Sequence, residues 1–225
     1  MGLILCLETA TKVCSVSLAK DGEVINTIDL LSENYSHAER LNGLLIDLLK
    51  QSNTSLNELD AVAISEGPGS YTGLRIGTST AKGLCYALDI PLIAVNSLKA
   101  LAGEKRGQGI LICPMFDARR MEVYSAIFDA NMNELEATRA VVIDEISYQN
   151  FLADNSICFV GPGAEKCEEA LQHENAIFDL SVKVSAKGMI SFAHEKFVKQ
   201  DFVDLAYFEP FYLKDFIAGT PKKIF

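Results

Sequence analysis

The chain has 225 residues, 49% of them hydrophobic, which suffices for one large domain or two small lobes and excludes a disordered polymer. The 30 acidic against 20 basic residues leave a formal net charge of −10, a field that repels phosphate backbones and argues against strong nucleic-acid binding by the chain alone. No apolar run approaches the roughly 18 residues that span a membrane, and the N-terminus lacks the basic region and long apolar core of a signal peptide. The expectation is a soluble cytoplasmic protein.

In chain order, an apolar run from Leu3 to Leu7 leads through "ETATK" to Val13–Ala19, where Cys14, Val16 and Leu18 alternate with Ser15 and Ser17. That is the period of a half-buried strand. "KDGE" (Lys20 to Glu23) reads as a hairpin turn, with Gly22 supplying positive φ, into a third strand near Val24 to Leu31. A helix is predicted from about Tyr35 to Gln51, with Ser36 as cap and Glu39 at capping-box spacing. Ala61 to Ser65 is a fourth strand, a glycine-rich loop follows, a helix runs from about Gly73 to Leu88, and Leu92 to Val95 is a fifth strand. The order β-β-β-α-β-α-β is mixed α/β.

The stretch "ILICPMFDARRMEVYSAIFDANMN" (110–133) echoes the start of the chain: a strand ending in an acid, a four-residue turn, an alternating strand and a polar turn. Glu8 and Asp117 hold the matching positions, which suggests two similar lobes facing each other. Hairpins in general share much of this pattern, so the echo is compatible with chance. A boundary falls in the charged "GEKRGQG", Gly103 to Gly109.

The glycine stretch "EGPGSYTGLRIG" (66–77) sits between a strand and a helix, the setting in which backbone N–H groups bind anions. Its spacing matches neither known phosphate loop. No Gly-Lys follows at Walker distance, and Gly67, Gly69 and Gly73 give G-x-G-x-x-x-G rather than the dinucleotide fingerprint. Gly73, Gly77, Ala81 and Cys85, spaced by four, form a small-residue ridge, and Gly77 and Gly83 inside a helix imply a packing reason. On the first helix Ala38, Leu41, Leu44, Leu45, Leu48 and Leu49 make a broad stripe that Ile46 extends. Two readings stand: both helices are sandwiched within the chain, or they form a surface for a second protein.

Other chemistry is sparse. His37 is followed four residues on by Leu41, so the chain has no H-x-x-x-H pair, and no cysteine or histidine cluster has metal-ligand spacing. The six cysteines (Cys6, Cys14, Cys85, Cys113, Cys158, Cys167) lack C-x-x-C spacing and read as reduced, mostly buried thiols, Cys167 being the most exposed. No nucleophile elbow is present. Ser70 and Tyr71 at the loop tip read as turn residues. Glu8 and Asp117 could hold a metal–nucleotide between lobes, but "DARR" lacks the glycines phosphate needs, and solvated turn charges are the favoured reading. Catalytic, cofactor and metal residues are therefore expected to be absent.

Two lobes in this strand order resemble the actin and sugar-kinase superfamily. Within it, "LETATKVCSVSLAKDG", "GPGSYTGLRIGTSTAKGLCYALDIPLIAVNSLKAL" and "DARRMEVYSAIF", with "EPFYLKDF" near the end, closely resemble the TsaB (YeaZ) family. The resemblance is densest in residues 1–125. It implies a two-lobed actin-like (ribonuclease H-like) α/β fold of mixed sheets with flanking helices. An N-terminal lobe would span 1–103 and a C-terminal lobe 104–225, with the final segment packing back on the first lobe. It implies a non-catalytic subunit that pairs with and activates TsaD as that enzyme moves the threonylcarbamoyl group from threonylcarbamoyl-AMP to the adenosine 3′ of the anticodon, in tRNAs reading A-starting codons. A TsaE-like ATPase joins the pair, the chain alone forms a homodimer, tRNA is met only through the complex, and no membrane is involved. TsaD-like chains carry an H-x-x-x-H metal pair on the helix matching Tyr35 to Gln51, where this chain has His37 and Leu41.

The partner interface is assigned to Leu41, Leu45, Leu48, Gly73, Gly77 and Ala81, and Gly77→Leu is expected to block pairing while leaving the monomer folded. Glu8 stands where the superfamily commonly has Asp, which puts nucleotide–metal binding in doubt. The alternatives are an ATP-dependent phosphotransferase or metallopeptidase of the same superfamily, or a homodimeric scaffold with an unrelated partner.

Overall fold

The structure, a computed structural model, describes residues 2–31 and 37–214. Ser36 and Tyr35, given above to the start of the first helix, lie outside the described residues, as does the end of "EPFYLKDF".

Each lobe is built on a five-stranded mixed sheet. In the first, β1 (Leu3–Glu8), β2 (Val13–Lys20), β3 (Glu23–Leu31), β4 (Ala61–Gly67) and β5 (Leu92–Asn96) run in the order β3-β2-β1-β4-β5. In the second, β6 (Leu111–Asp117), β7 (Glu122–Phe128), β8 (Glu134–Val142), β9 (Ile157–Val160) and β10 (Ala176–Asp179) run β8-β7-β6-β9-β10. The pairings match term for term. β1 meets β2 antiparallel and β4 parallel, as β6 meets β7 antiparallel and β9 parallel. The echo between residues 3–22 and 110–133 is thus one part of a whole-sheet duplication.

The helices are α1 (His37–Gln51), α2 (Tyr71–Leu88), α3 (Ser97–Gly103), α4 (Gln149–Leu152) and α5 (Ile190–Val198). The β2–β3 hairpin turns on Asp21 (φ 52°) and Gly22 (φ 86°), both left-handed, as a two-residue turn between twisted strands requires. Strand alternation then divides the core. Ile4 and Cys6 face an inner cluster with Phe116, Phe128 and Val160 of the other sheet, joined through Leu98 and Leu101 of α3 and Phe192 of α5. Leu5 and Leu7 face outward to Leu41, Leu45 and Leu48 of α1 and Ala81 and Cys85 of α2. Cys113 and Met115 likewise face a third cluster outside the second sheet.

The duplication is unequal. Between β4 and β5 stands the 18-residue α2; between β9 and β10 there is only a short 3-10 turn, Glu165–Cys167. After α5 the chain returns to the first lobe. Val203 bridges to Leu92 of β5, the Lys82 ammonium donates to the Ala206 and Phe208 carbonyls at 3.1 and 3.2 Å, and Phe211 N–H donates to Glu66 O at 2.7 Å. All six cysteines are free and buried. Cys167 corrects the sequence reading: its charged neighbours point outward while its thiol turns into the third cluster and donates to Gly163 O at 3.2 Å. Among the described residues no helix is long and apolar enough to cross a membrane.

Candidate functional site

The glycine stretch closes on its own chain. Ser70 is the N-cap of α2, and its Oγ accepts the Gly73 N–H at 3.3 Å. Gly67 N–H donates to Ser97 Oγ at 2.9 Å, and Ser70 N–H to Ala10 O at 2.6 Å. These amides of the loop are therefore engaged within the chain. The space is filled as well. A Cβ on Gly73 would lie 2.1 Å from Thr9 O, and one on Gly77 2.3 Å from Thr9 Oγ1. The β1–β2 turn, through Thr9 and Ala10, fills the space beside Gly69, Gly73 and Gly77.

Glu8, at the end of β1, is 1% exposed, which overturns its reading as a solvated turn charge. Its Oε1 accepts the Ala10 N–H at 2.6 Å and the Ser65 hydroxyl at 3.0 Å, while Oε2 has no hydrogen bond among the described residues. Burial lifts its pKa to about 7, against the lowering pull of those bonds. The carboxyl thus stays neutral above the ordinary carboxylate range, held inside the joint between β1 and β4. His37, also 1% exposed, bonds through Nε2 to Thr11 O at 2.7 Å, and burial lowers its pKa. It ties the start of α1 to the same turn. Among the described residues no cluster of three or more His, Cys, Asp or Glu could hold a metal.

The six residues chosen from sequence lie together in space, but inside the chain. Leu41, Leu45, Leu48 and Ala81 are buried against the outer face of the first sheet. Gly73 and Gly77 are buried against Thr9. The close approach their small size permits is therefore to the β1–β2 turn. Accordingly Gly77→Leu would disturb the monomer itself, contrary to expectation.

The outer face of the same two helices is different. Thr72, Arg75, Ser79, Gly83 and Tyr86 of α2, three or four residues apart, lie along it, Tyr86 being 85% exposed. On α1, Asn42, Gly43 and Ile46 lie outward, Ile46 being 52% exposed. Added Cβ atoms on Gly43 and Gly83 would meet nothing within 4 Å. Nothing in the chain's own packing explains a glycine at either mid-helix position. The sequence signal for Gly83 is its place inside a helix, and Gly43, absent from the sequence reading, carries the same signal.

In the second lobe Asp117, like Glu8 the last residue of its strand, is exposed. Lys166 bonds its Oδ1 at 2.5 Å and also donates to Arg120 O at 2.6 Å and Glu122 O at 2.7 Å. Burial alone would raise the pKa of Asp117. Lys166, the Arg119 N–H and the nearby cations outweigh that and hold it below the ordinary value.

Duplicated lobes of mixed sheets with flanking helices, the first-lobe turn packed under a glycine-headed helix, define an actin-like chain. A family model described as TsaD, tRNA N6-adenosine threonylcarbamoyltransferase, matches residues 32–221. The tRNA threonylcarbamoyladenosine biosynthesis protein TsaB of Escherichia coli is 32% identical over 223 residues, covering 96% of each chain. TsaB of Bacillus subtilis is 37% identical over 134 residues, 59% of this chain and 58% of that protein. The solved structure of YeaZ from Pseudomonas aeruginosa superposes with a TM-score of 0.81 at 29% identity, over 95% of this chain and 100% of that one. The chain belongs to the TsaB (YeaZ) family.

Proposed function

We propose that this chain is a non-catalytic subunit in tRNA threonylcarbamoyladenosine synthesis. In this role it pairs with a TsaD-like transferase through the outer face of α1 and α2. It thereby activates transfer of the threonylcarbamoyl group from threonylcarbamoyl-AMP to the adenosine 3′ of the anticodon. The names of its relatives support the pathway, and the family model's description supports a TsaD-like partner.

The observation that carries the pairing is the contrast between glycines. Those facing inward are filled by Thr9, whereas Gly43 and Gly83 face outward into open space. Glycine inside a helix costs about 1 kcal/mol relative to alanine, and an outside helix approaching closely would account for it. Leu41, Leu45, Leu48, Gly73, Gly77 and Ala81 then act beneath the surface, setting the height and angle at which the helices are presented. A non-catalytic role is supported by the engaged loop amides and by Leu41 packed where TsaD-like chains carry their second metal histidine. In the same reading the lone chain dimerises through this face, a TsaE-like ATPase joins the pair, and tRNA is met within the complex.

The test is pairing with a TsaD-like protein, followed by calorimetry and size-exclusion chromatography. Gly83→Leu should fold normally and weaken binding by a factor of at least about 100, since the side chain would stand between two close helices. Full-strength binding by this variant would refute the proposed face.

A further inference from the structure

The unequal duplication leaves one turn uncovered. In the first lobe Thr9 and Ala10 lie under the start of α2 and are fully or almost fully buried. In the second lobe the equivalent turn, Ala118 to Met121, faces the 165–167 turn in place of a long helix and accepts the Ile143 N–H at Met121 O, and Arg119, Arg120 and Met121 are exposed. Arg119 and Arg120 are consecutive left-handed residues, with φ of 75° and 52°. A tight hairpin turn calls for such a pair, and in two non-glycine residues it persists where surrounding structure enforces it. Here the enforcement is visible. Asp117 Oδ1 accepts the Arg119 N–H at 2.8 Å, and the Lys166 ammonium gathers Asp117 Oδ1, Arg120 O and Glu122 O. The result is a rigid turn that projects two guanidinium groups. Neither makes an ion pair or hydrogen bond through its side chain among the described residues, in a chain whose net charge is −10.

These arginines lie beside further cations, in a strip interleaved with the carboxylates of Asp117, Glu122 and Glu209. Lys214 pairs with Glu122 beside the turn. Two residues back along the chain, the Tyr212 ring lies 4.8 Å from that of Tyr71, and the Arg75 guanidinium sits 4.3 Å over Tyr71. Arg75 belongs to the pairing face, so the strip proper runs from Tyr212 and Lys214 of the returning C-terminal segment to the second-lobe turn. Asp144, Glu145 and Glu169 border the far side of Lys166 and mark its edge.

We propose that this strip, led by Arg119 and Arg120, receives the sugar–phosphate backbone of the tRNA when the chain is part of the modifying assembly. The inference rests on the reading of function above. Guanidinium forks match phosphate oxygens in geometry and charge, and aromatic rings between cations suit a nucleic-acid surface. The global charge opposes RNA binding by the lone chain, so the contact positions an RNA held chiefly by the partner.

The experiment uses the full chain assembled with its TsaD-like partner, and reads the anisotropy of fluorescently labelled unmodified tRNA across a salt series. Arg119→Ala with Arg120→Ala should weaken binding roughly tenfold or more and lower the salt slope by about two, close to one for each phosphate no longer neutralised. Arg119→Lys with Arg120→Lys should keep most of the slope, and Lys199→Ala, at the C-terminal end of α5 and outside the strip, should leave it unchanged. Size-exclusion chromatography of each variant with the partner separates this test from that of the pairing. An unchanged slope in the double alanine variant would overturn the proposal, as would an assembly that binds no tRNA. Loss of partner pairing would reassign the arginines to a protein contact, and loss of ATP binding with tRNA binding intact would reassign them to a mononucleotide. Both outcomes also overturn it.

Discussion

Gly77 is seated directly on Thr9: a single carbon added at position 77 would come within 2.3 Å of the Thr9 hydroxyl, on a residue with no exposure to solvent. This contact fixes the distance between α2 and the end of β1, and with the Gly73 contact it makes the glycine stretch a joint.

The first prediction follows from that distance. Thr9 has a short side chain on a buried turn and cannot swing aside, so Gly77→Ala should destabilise the chain by about 1–3 kcal/mol despite alanine's better helix propensity. Urea denaturation monitored by far-ultraviolet circular dichroism measures it. Equal or higher stability would mean that the joint is looser than described.

Gly43 and Gly83 should behave oppositely. With open space around both positions, Gly43→Ala and Gly83→Ala should each stabilise the lone chain by about 0.5–1 kcal/mol. The same denaturation series reads this directly. Destabilisation by either change would show that the helix already packs against something in the free protein.

Glu8 gives a pH signature of unusual sign. Its pKa in the folded chain, about 7, is above the ordinary 4.5, so between those values the native state holds more proton than the unfolded one. Its contribution is greatest below pH 4.5, falls as pH rises to about 7, and is flat beyond. At about 1.4 kcal/mol per pH unit the whole effect is roughly 3 kcal/mol. Glu8→Gln should flatten stability between about pH 5 and 7, a range that denaturation curves at fixed ionic strength will cover. A variant with the native chain's slope would place the titrating group elsewhere.

The N-cap of α2 offers a local test. Ser70→Ala removes the acceptor for the Gly73 N–H and should cost about 1 kcal/mol, with faster amide exchange confined to the first turn of α2. Exchange rates unchanged at residues 71–74 would count against the cap.

Much of this architecture is legible in the sequence because periodicity reports it. The alternation in Val13–Ala19, the Asp21–Gly22 turn and the run from Ala61 to Leu88 each match the structure to within a few residues. Even the duplication leaves a trace, in two strand-acid-turn-strand units. What periodicity does not report is which neighbour covers a face. The ridge through Gly73, Gly77 and Ala81 is a site of close approach, as its spacing implies, but the approaching group is a turn 64 to 68 residues earlier, Thr9 under Gly73 and Gly77. Cys167 and Glu8 escape a sequence reading for the same reason: burial depends on contacts distant in sequence. The strained Arg119–Arg120 turn leaves no mark at all, since its left-handed backbone is imposed by Lys166, 46 residues away from Arg120.

The most direct test of the central claim is an omission assay. The TsaD-like protein, the TsaE-like ATPase, threonylcarbamoyl-adenylate synthase, ATP, threonine, bicarbonate and unmodified tRNA are combined with and without this chain, and modified adenosine is counted. Product is expected only when the chain is present, and none when the Gly83→Leu variant replaces it. Equal product with and without the chain would contradict the proposed role as activating subunit.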